Sequence, residues 1–176
     1  HDAQEESVEN ILEMAQLKRE GKCSALIVTG CLAQLYGQDI LDELPEVDAV
    51  IGTASIDRLL QIIDRISKGE RIVDKNELTV IPDFKNRRMV TTGGHYEYLK
   101  IAEGCSKRCT YCIIPFLRGN YRSIPLESLI EEARYLAENG VRELNIVAQE
   151  TTVYGIDMYG RKMLHVLLEK LCEIEE

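Results

Sequence analysis

The chain has 176 residues, 45% of them hydrophobic and 29% charged, with 21 basic side chains against 30 acidic ones and a net charge of −9. Such a composition is globular and allows a packed core; no apolar run approaches the roughly 20 residues of a membrane span, and the polar, acidic start His1-Asp2-Ala3-Gln4-Glu5-Glu6 is not that of a secretory signal. The acidic balance opposes non-specific binding to nucleic-acid phosphates and suits a basic protein partner.

Residues 2–20 read as a helix, with Val8, Ile11, Leu12 and Ala15 on one face and Asp2, Glu5 and Glu6 at the positive end of its dipole, stopped by Gly21. Residues 24–28 (Ser-Ala-Leu-Ile-Val) form a nearly continuous apolar run, the pattern of a strand buried on both faces, and end at Thr29-Gly30-Cys31. A helix is expected over 32–44, a second buried strand over 47–51, and a helix over 56–66 with Leu59, Leu60, Ile63 and Ile66 in register. This alternation implies a parallel sheet with helices packed on it, an α/β domain that is truncated because it opens on a helix. Residues 69–95 are the expected linker, punctuated by Gly69, Pro82, Gly93 and Gly94, with a short strand-like run over 78–81 and a basic patch, Lys85-Asn86-Arg87-Arg88. The domains so outlined are 1–68, the linker 69–95, and 96–176.

From Tyr96 the pattern becomes a repeating β/α unit. A strand over 98–102 is followed by the turn Glu103-Gly104. Ser123 is the expected N-cap, with Pro125 in the first turn, of a helix carrying Leu126, Leu129, Ile130, Ala133, Leu136 and Ala137, and Gly140 caps its end. A second strand covers 143–148, a loop covers 149–160, and a last helix carries Leu164, Leu167, Leu168 and Leu171. These are two β/α units of a larger barrel. In such barrels the ligand chemistry sits on the loops after the strands, and both the loop after 98–102 and the segment Gln149-Glu150-Thr151-Thr152 fall on that face. Thr151, Thr152 and Tyr154 are expected to hydrogen-bond a peptide there.

Six cysteines in a chain of this length and core do not make a disulfide scaffold. Without an export signal, clustered cysteines point to metal and to a reducing, cytoplasmic compartment. Three of them stand within eight residues in Cys105-Ser106-Lys107-Arg108-Cys109-Thr110-Tyr111-Cys112. Three thiolates are one too few for a closed tetrahedral zinc site, yet they suit an iron–sulfur cluster with one iron left open. A zinc site completed by His95, Cys31 or a partner stays open as the alternative. Cys23 is read as structural.

The spacing Cys-x3-Cys-x2-Cys, with Tyr111 before the last cysteine, resembles the radical S-adenosylmethionine (radical SAM) signature. The flanks Lys100-Ile101-Ala102-Glu103-Gly104 and Ile113-Ile114-Pro115-Phe116-Leu117-Arg118-Gly119 are similar to those of the methylthiotransferases within that superfamily. The resemblance implies that Cys105, Cys109 and Cys112 hold a 4Fe–4S cluster whose open iron binds S-adenosylmethionine, and that residues 96–176 are the first units of a partial radical SAM (β/α) barrel. It also implies that Tyr111 lies along the adenine. Where many relatives have Gly-Gly-Glu to hold the amino group of SAM, this chain has Ala148-Gln149-Glu150, which assigns Gln149 or Glu150 to SAM. Thr29-Gly30-Cys31-Leu32-Ala33-Gln34 matches the third cysteine motif of the family's N-terminal domain, so Cys31 inherits a ligand role in an auxiliary cluster. Its two companions would lie before His1, so one complete cluster is expected here.

Residues 147–160 resemble the branch that modifies a ribosomal protein, where the reaction is methylthiolation of the β-carbon of an aspartate in small-subunit ribosomal protein S-twelve. The partners implied are that protein and an electron donor such as flavodoxin or ferredoxin. No membrane partner is expected, and tRNA, the substrate of the alternative branch acting on isopentenyladenosine, is not expected either.

Overall fold

The computed structural model describes residues 2–79 and 94–174. The chain divides into two compact units, residues 1–82 and 83–176. The expected basic patch at 85–88 and half of the strand-like run at 78–81 lie outside the described residues, and Leu78 and Thr79 form a turn.

In the first unit, helix α1 (Asp2–Arg19) carries Asp2 and Glu5 in its first turn and Lys18 and Arg19 in its last, both matched to the dipole. It ends in a Schellman motif: Lys22 N–H donates to Leu17 O and Gly21 N–H to Lys18 O, with Gly21 at a φ of +71°. Of its expected apolar face only Ala15 is fully buried and Ile11 packs inward, while Val8 and Leu12 stay exposed. Lys18 Nζ reaches Asp48 Oδ2 at 2.5 Å and Glu46 O at 2.7 Å, which fastens the helix end to the entry of the central strand.

Strands β1 (Ile27–Thr29) and β2 (Ala49–Ile51) pair in parallel, Val28 opposite Val50. Helix α2 (Cys31–Glu43) crosses between them and lays Ala33, Gly37 and Leu41 toward the sheet. Every residue of β2 is buried, because α2 covers one face through Val28, Val47 and Val50, while the other face packs Ile51 and Ile72 against Ile62. That arrangement explains the continuous apolar runs in place of alternation. A short 3₁₀ turn, Ile56–Arg58, leads into α3 (Leu59–Ser67).

The helix over 56–66 is therefore shorter than its apolar pattern suggests, and its face is different. Ile62, with Leu59 and Ile66, faces the sheet, while Leu60 is 80% exposed and Ile63 is 45% exposed. A third strand, β3 (Ile72–Asp74), runs parallel to β2 with Val73 opposite Val50. It lies where only linker was expected. Its far end is held by Arg58 Nη2 on Asp74 Oδ1 at 2.6 Å and by Gly52 N–H on Asp74 O at 2.8 Å.

In the second unit, β4 (Tyr96–Lys100) pairs in parallel with the later β7 (Glu143–Val147), Tyr96 opposite Glu143 and Lys100 opposite Val147. The expected strand over 98–102 breaks at Ile101. There the chain leaves β7 and starts a second, antiparallel ladder, β5 (Ala102–Glu103), whose partner β6 (Arg122–Ser123) pairs Ala102 with Ser123. Residues 104–121 thus form an excursion closed at its neck by two residue pairs. The short helix α4 (Ile114–Arg118) lies within it.

Helix α5 (Leu126–Glu138) follows and buries Leu126, Leu129, Ile130, Ala133 and Leu136, the face the periodicity predicts. Its N-cap position is Pro125, not Ser123, and no side chain caps it. At its other end Val141 N–H reaches Leu136 O and Gly140 N–H reaches Ala137 O, so Gly140, at a φ of +90°, caps as expected. After β7 (Glu143–Val147) comes α6 (Ile156–Tyr159), one turn between two left-handed glycines, and then α7 (Leu164–Cys172). The core of this unit gathers Leu99, Ile101, Ile124, Leu129, Tyr154 and Leu167. None of the described helices is long and apolar enough to cross a membrane.

Candidate metal centre

The excursion 104–121 begins where the backbone has no room for a side chain. Gly104 has a φ of +78°, and a Cβ on it would stand 2.4 Å from Asn120 O and 2.6 Å from Gly119 O. Only glycine passes so close to a returning backbone. The next three residues are tied down one after another. Cys105, 8% exposed, donates its N–H to Gly119 O at 3.1 Å. Ser106 Oγ accepts the N–H of Tyr121 at 3.0 Å. Lys107 forms an ion pair with Glu150. Then the loop projects. Arg108 takes a left-handed φ of +49°, alone among the described non-glycine residues, and Cys109 is exposed. A turn closed by Cys112 N–H on Cys109 O at 3.0 Å carries Tyr111 outward, 91% exposed, and Cys112 is half-buried.

Cys105, Cys109 and Cys112 share this loop without being drawn into one ligand set; among the described residues no group of three or more Cys, His, Asp or Glu side chains stands together as a metal site. Cys31, in the first unit, opens α2 directly after Gly30 and is exposed. His95, the other candidate, packs edge-on against Tyr96 with ring centroids 5.0 Å apart.

Gln149 and Glu150 do reach the cysteine loop, through hydrogen bonds of their own. Gln149 Oε1 accepts the Gly104 N–H at 2.7 Å. Lys107 holds the Glu150 carboxyl down at about 2, helped by the side chain and N–H of Thr152. In return Glu150 raises the Lys107 ammonium above its ordinary value. The expected peptide-binding group of Thr151, Thr152 and Tyr154 is not displayed as such. Tyr154 is fully buried and donates its hydroxyl to Ile124 O at 2.8 Å, and Thr152 is engaged with Glu150.

Other members of the site carry no motif. Buried Glu103 pairs with Lys100 and, at 3.3 Å, with Arg118 at the base of the excursion. Ser123 is the hub of the exit: its N–H and Oγ both donate to Asp157, and its Oγ accepts the Gly155 N–H at 2.9 Å. Tyr121 is buried, which pushes its phenol up to about 12, and its hydroxyl has no well-formed hydrogen bond among the described residues. The nearest sequence signal for this set is the crowding of Glu103, Arg118 and Arg122 around the cysteines, which reads as ordinary surface charge until the ladder pairs Glu103 with Arg122.

Residues 99–175 match the Radical SAM superfamily, and residues 1–52 match a family described as uncharacterized protein family UPF0004. The "Ribosomal protein uS12 methylthiotransferase RimO" of Lachnoclostridium phytofermentans is 57% identical over 175 residues, 99% of this chain and 40% of that protein. Proteins of the same name from Caldicellulosiruptor saccharolyticus and Clostridioides difficile are 48% and 46% identical, over 99% and 98% of this chain and 40% and 39% of their own length. Nearly the whole chain is thus similar to proteins named as methylthiotransferases, and residues 99–175 carry the match to the Radical SAM superfamily. The chain spans about 40% of the length of the curated relatives it matches. The Radical SAM match implies S-adenosylmethionine and a 4Fe–4S cluster, and the fold agrees: a mixed α/β chain with parallel pairing in each unit.

Proposed function

We propose that this protein adds a methylthio group to the β-carbon of an aspartate in small-subunit ribosomal protein S-twelve. The observation that carries the reading is the loop at 104–112, three thiols and no other metal-binding side chain, at the end of a strand paired in parallel with β7. Relatives named for this reaction match through that loop at up to 57% identity. Soft thiolates suit iron and sulfide, and three of them leave one iron for S-adenosylmethionine. The buried hydroxyl of Tyr121, which makes no well-formed hydrogen bond among the described residues, also fits a site that receives a polar group.

In this reading Cys105, Cys109 and Cys112 hold the cluster. Cys105 stands fixed by the Gly119 carbonyl, and the exposed turn carrying the other two would have to close on it when the cluster binds. When bound, the cluster supplies the electron that cleaves S-adenosylmethionine and starts radical chemistry. Tyr111, with its ring face uncovered, offers a stacking surface for the adenine. Cys31 supplies one ligand to an auxiliary, sulfur-carrying cluster. A flavodoxin or ferredoxin supplies the electron.

The first test is anaerobic reconstitution of the 176-residue chain, with iron, zinc and sulfide analysis. One 4Fe–4S cluster per chain, lost in Cys105→Ala, is expected; zinc without sulfide contradicts the reading. The second gives the full-length enzyme a peptide bearing the ribosomal aspartate loop and, separately, isopentenylated tRNA. Methylthiolated peptide is expected in the mass spectrum, and product on tRNA alone overturns the substrate. In the same enzyme Cys31→Ala is expected to keep S-adenosylmethionine cleavage and lose methylthio transfer.

A further inference from the structure

We infer that the loop 149–160 is a brace for the cysteine loop, with Gln149 and Glu150 as positioning residues that hold its first half before any cofactor is bound. The inference rests on reading the cysteine loop as the cluster site. The excursion 104–121 is attached to the rest of its unit by only two ladder pairs, Ala102 with Ser123 and Glu103 with Arg122. Two pairs fix the neck and leave the path beyond it open. Cys105 N–H on Gly119 O, Tyr121 N–H on Ser106 Oγ and Arg118 on Glu103 cross-link that path from within, and the loop 149–160 holds it from outside on both sides.

On the entry side, Gln149 Oε1 takes the Gly104 N–H and Glu150 takes Lys107, so both residues flanking Cys105-Ser106 are held from the end of β7. On the exit side the same loop takes hold again. Asp157 receives the N–H and hydroxyl of Ser123, Tyr159 OH accepts the Leu126 N–H at 3.1 Å, and buried Tyr154 donates to Ile124 O. One loop therefore grips the excursion before it leaves and after it returns.

These bonds also bear on what Gln149 and Glu150 are free to do. The Gln149 amide oxygen, the atom that would accept from a ligand's ammonium group, already serves Gly104. Both Lys107 and Thr152 engage the Glu150 carboxylate. Their task in this arrangement is to hold Cys105 where Cys109 and Cys112 can close on it.

The test is hydrogen exchange and limited trypsin digestion of the 176-residue chain without iron and without S-adenosylmethionine, for Gln149→Leu, Glu150→Gln and Gln149→Glu. Residues 104–107 are expected to exchange about two- to tenfold faster in Gln149→Leu and in Glu150→Gln, the factor that one lost hydrogen bond carries. Cleavage after Lys107 and Arg108 should accelerate in step, while α5 and β7 exchange as before. Gln149→Glu keeps an acceptor for Gly104 and should restore the slow rate. Unchanged exchange at 104–107 in both disruptive variants overturns the inference. Because Glu150→Gln removes the charge facing half-exposed Lys107 while keeping an amide oxygen for Thr152, it is readable even if Gln149→Leu does not fold. Faster exchange in a chain that never takes up iron and sulfide would keep the brace and refute the cluster reading instead.

Discussion

Lys107 and Glu150 face each other beside two thiols, and each sets the other's affinity for a proton. The Glu150 carboxyl, ordinarily near 4.5, is brought to about 2 by Lys107 first and Thr152 next. A folded value below the unfolded one means that the pair stabilises the fold above pH 4.5 and that this contribution disappears as the pH falls from there through about 2. In Lys107→Ala the larger cause is gone. Carbon-13 NMR titration should then show Glu150 moving back toward an ordinary carboxylate. The stability gap between parent and variant should be widest at neutral pH and close near pH 2. An unmoved titration means the pair does not form in solution. Three cysteines on one loop are legible in a sequence because their spacing is local. The partners of Tyr154, Ser123 and Asp157 are not, because each lies some thirty residues away and is chosen by the return of the chain. For the same reason Ser123, placed like an N-cap, serves Asp157, and Tyr154, placed like a substrate contact, is core.

Helix α3 shows the same lesson at the scale of an element. Leu59, Leu60, Ile62, Ile63 and Ile66 are apolar over more than half the circumference, so periodicity allows two overlapping faces. The sheet decides between them: Ile62, 1% exposed, meets Ala49, Ile51 and Ile72. Truncating Ile62 to Ala should cost about 2–5 kcal/mol, the range for a buried large aliphatic. Leu60→Ala should stay within about 0.5 kcal/mol, as exposed sites do. Urea unfolding of both variants checks this, and equal losses would restore the face drawn from periodicity. Strand β3 escapes sequence reading for a different reason. Only Ile72 and Val73 are apolar there, between charged neighbours. What makes a strand of them is pairing with Ala49 and Val50 and the grip of Arg58 on Asp74, none of it local. By contrast the buried face of α5 and its Gly140 cap are legible because the helix itself carries both, while its start is not, since Pro125 and not Ser123 stands at the N-cap position.

At the scale of the molecule, the two units match two different families, residues 1–52 one and residues 99–175 the other. Each folds around its own core. In the second unit that core draws on Leu99, Ile101, Ile124 and residues beyond, and on nothing between 104 and 121. The excursion leaves and returns through Ala102 and Ser123, which face each other across an antiparallel ladder, where opposite Cα atoms stand only about 4.5–5.5 Å apart. Such a segment is a cassette. Its ends are close enough to be joined by a short turn, and the core that β4, α5 and α7 share takes no residue from it. Replacing residues 104–121 with a two-residue Asn-Gly turn should give a chain with the parent's far-UV circular dichroism and a cooperative melt, colourless under conditions that load the parent with iron and sulfide. Collapse of the fold would show that the excursion is framework as well. If the cassette lifts out cleanly, a graft of these eighteen residues onto another scaffold with the same two-pair neck becomes a practical route to a three-thiol loop, provided the scaffold also presents an amide oxygen to the first glycine.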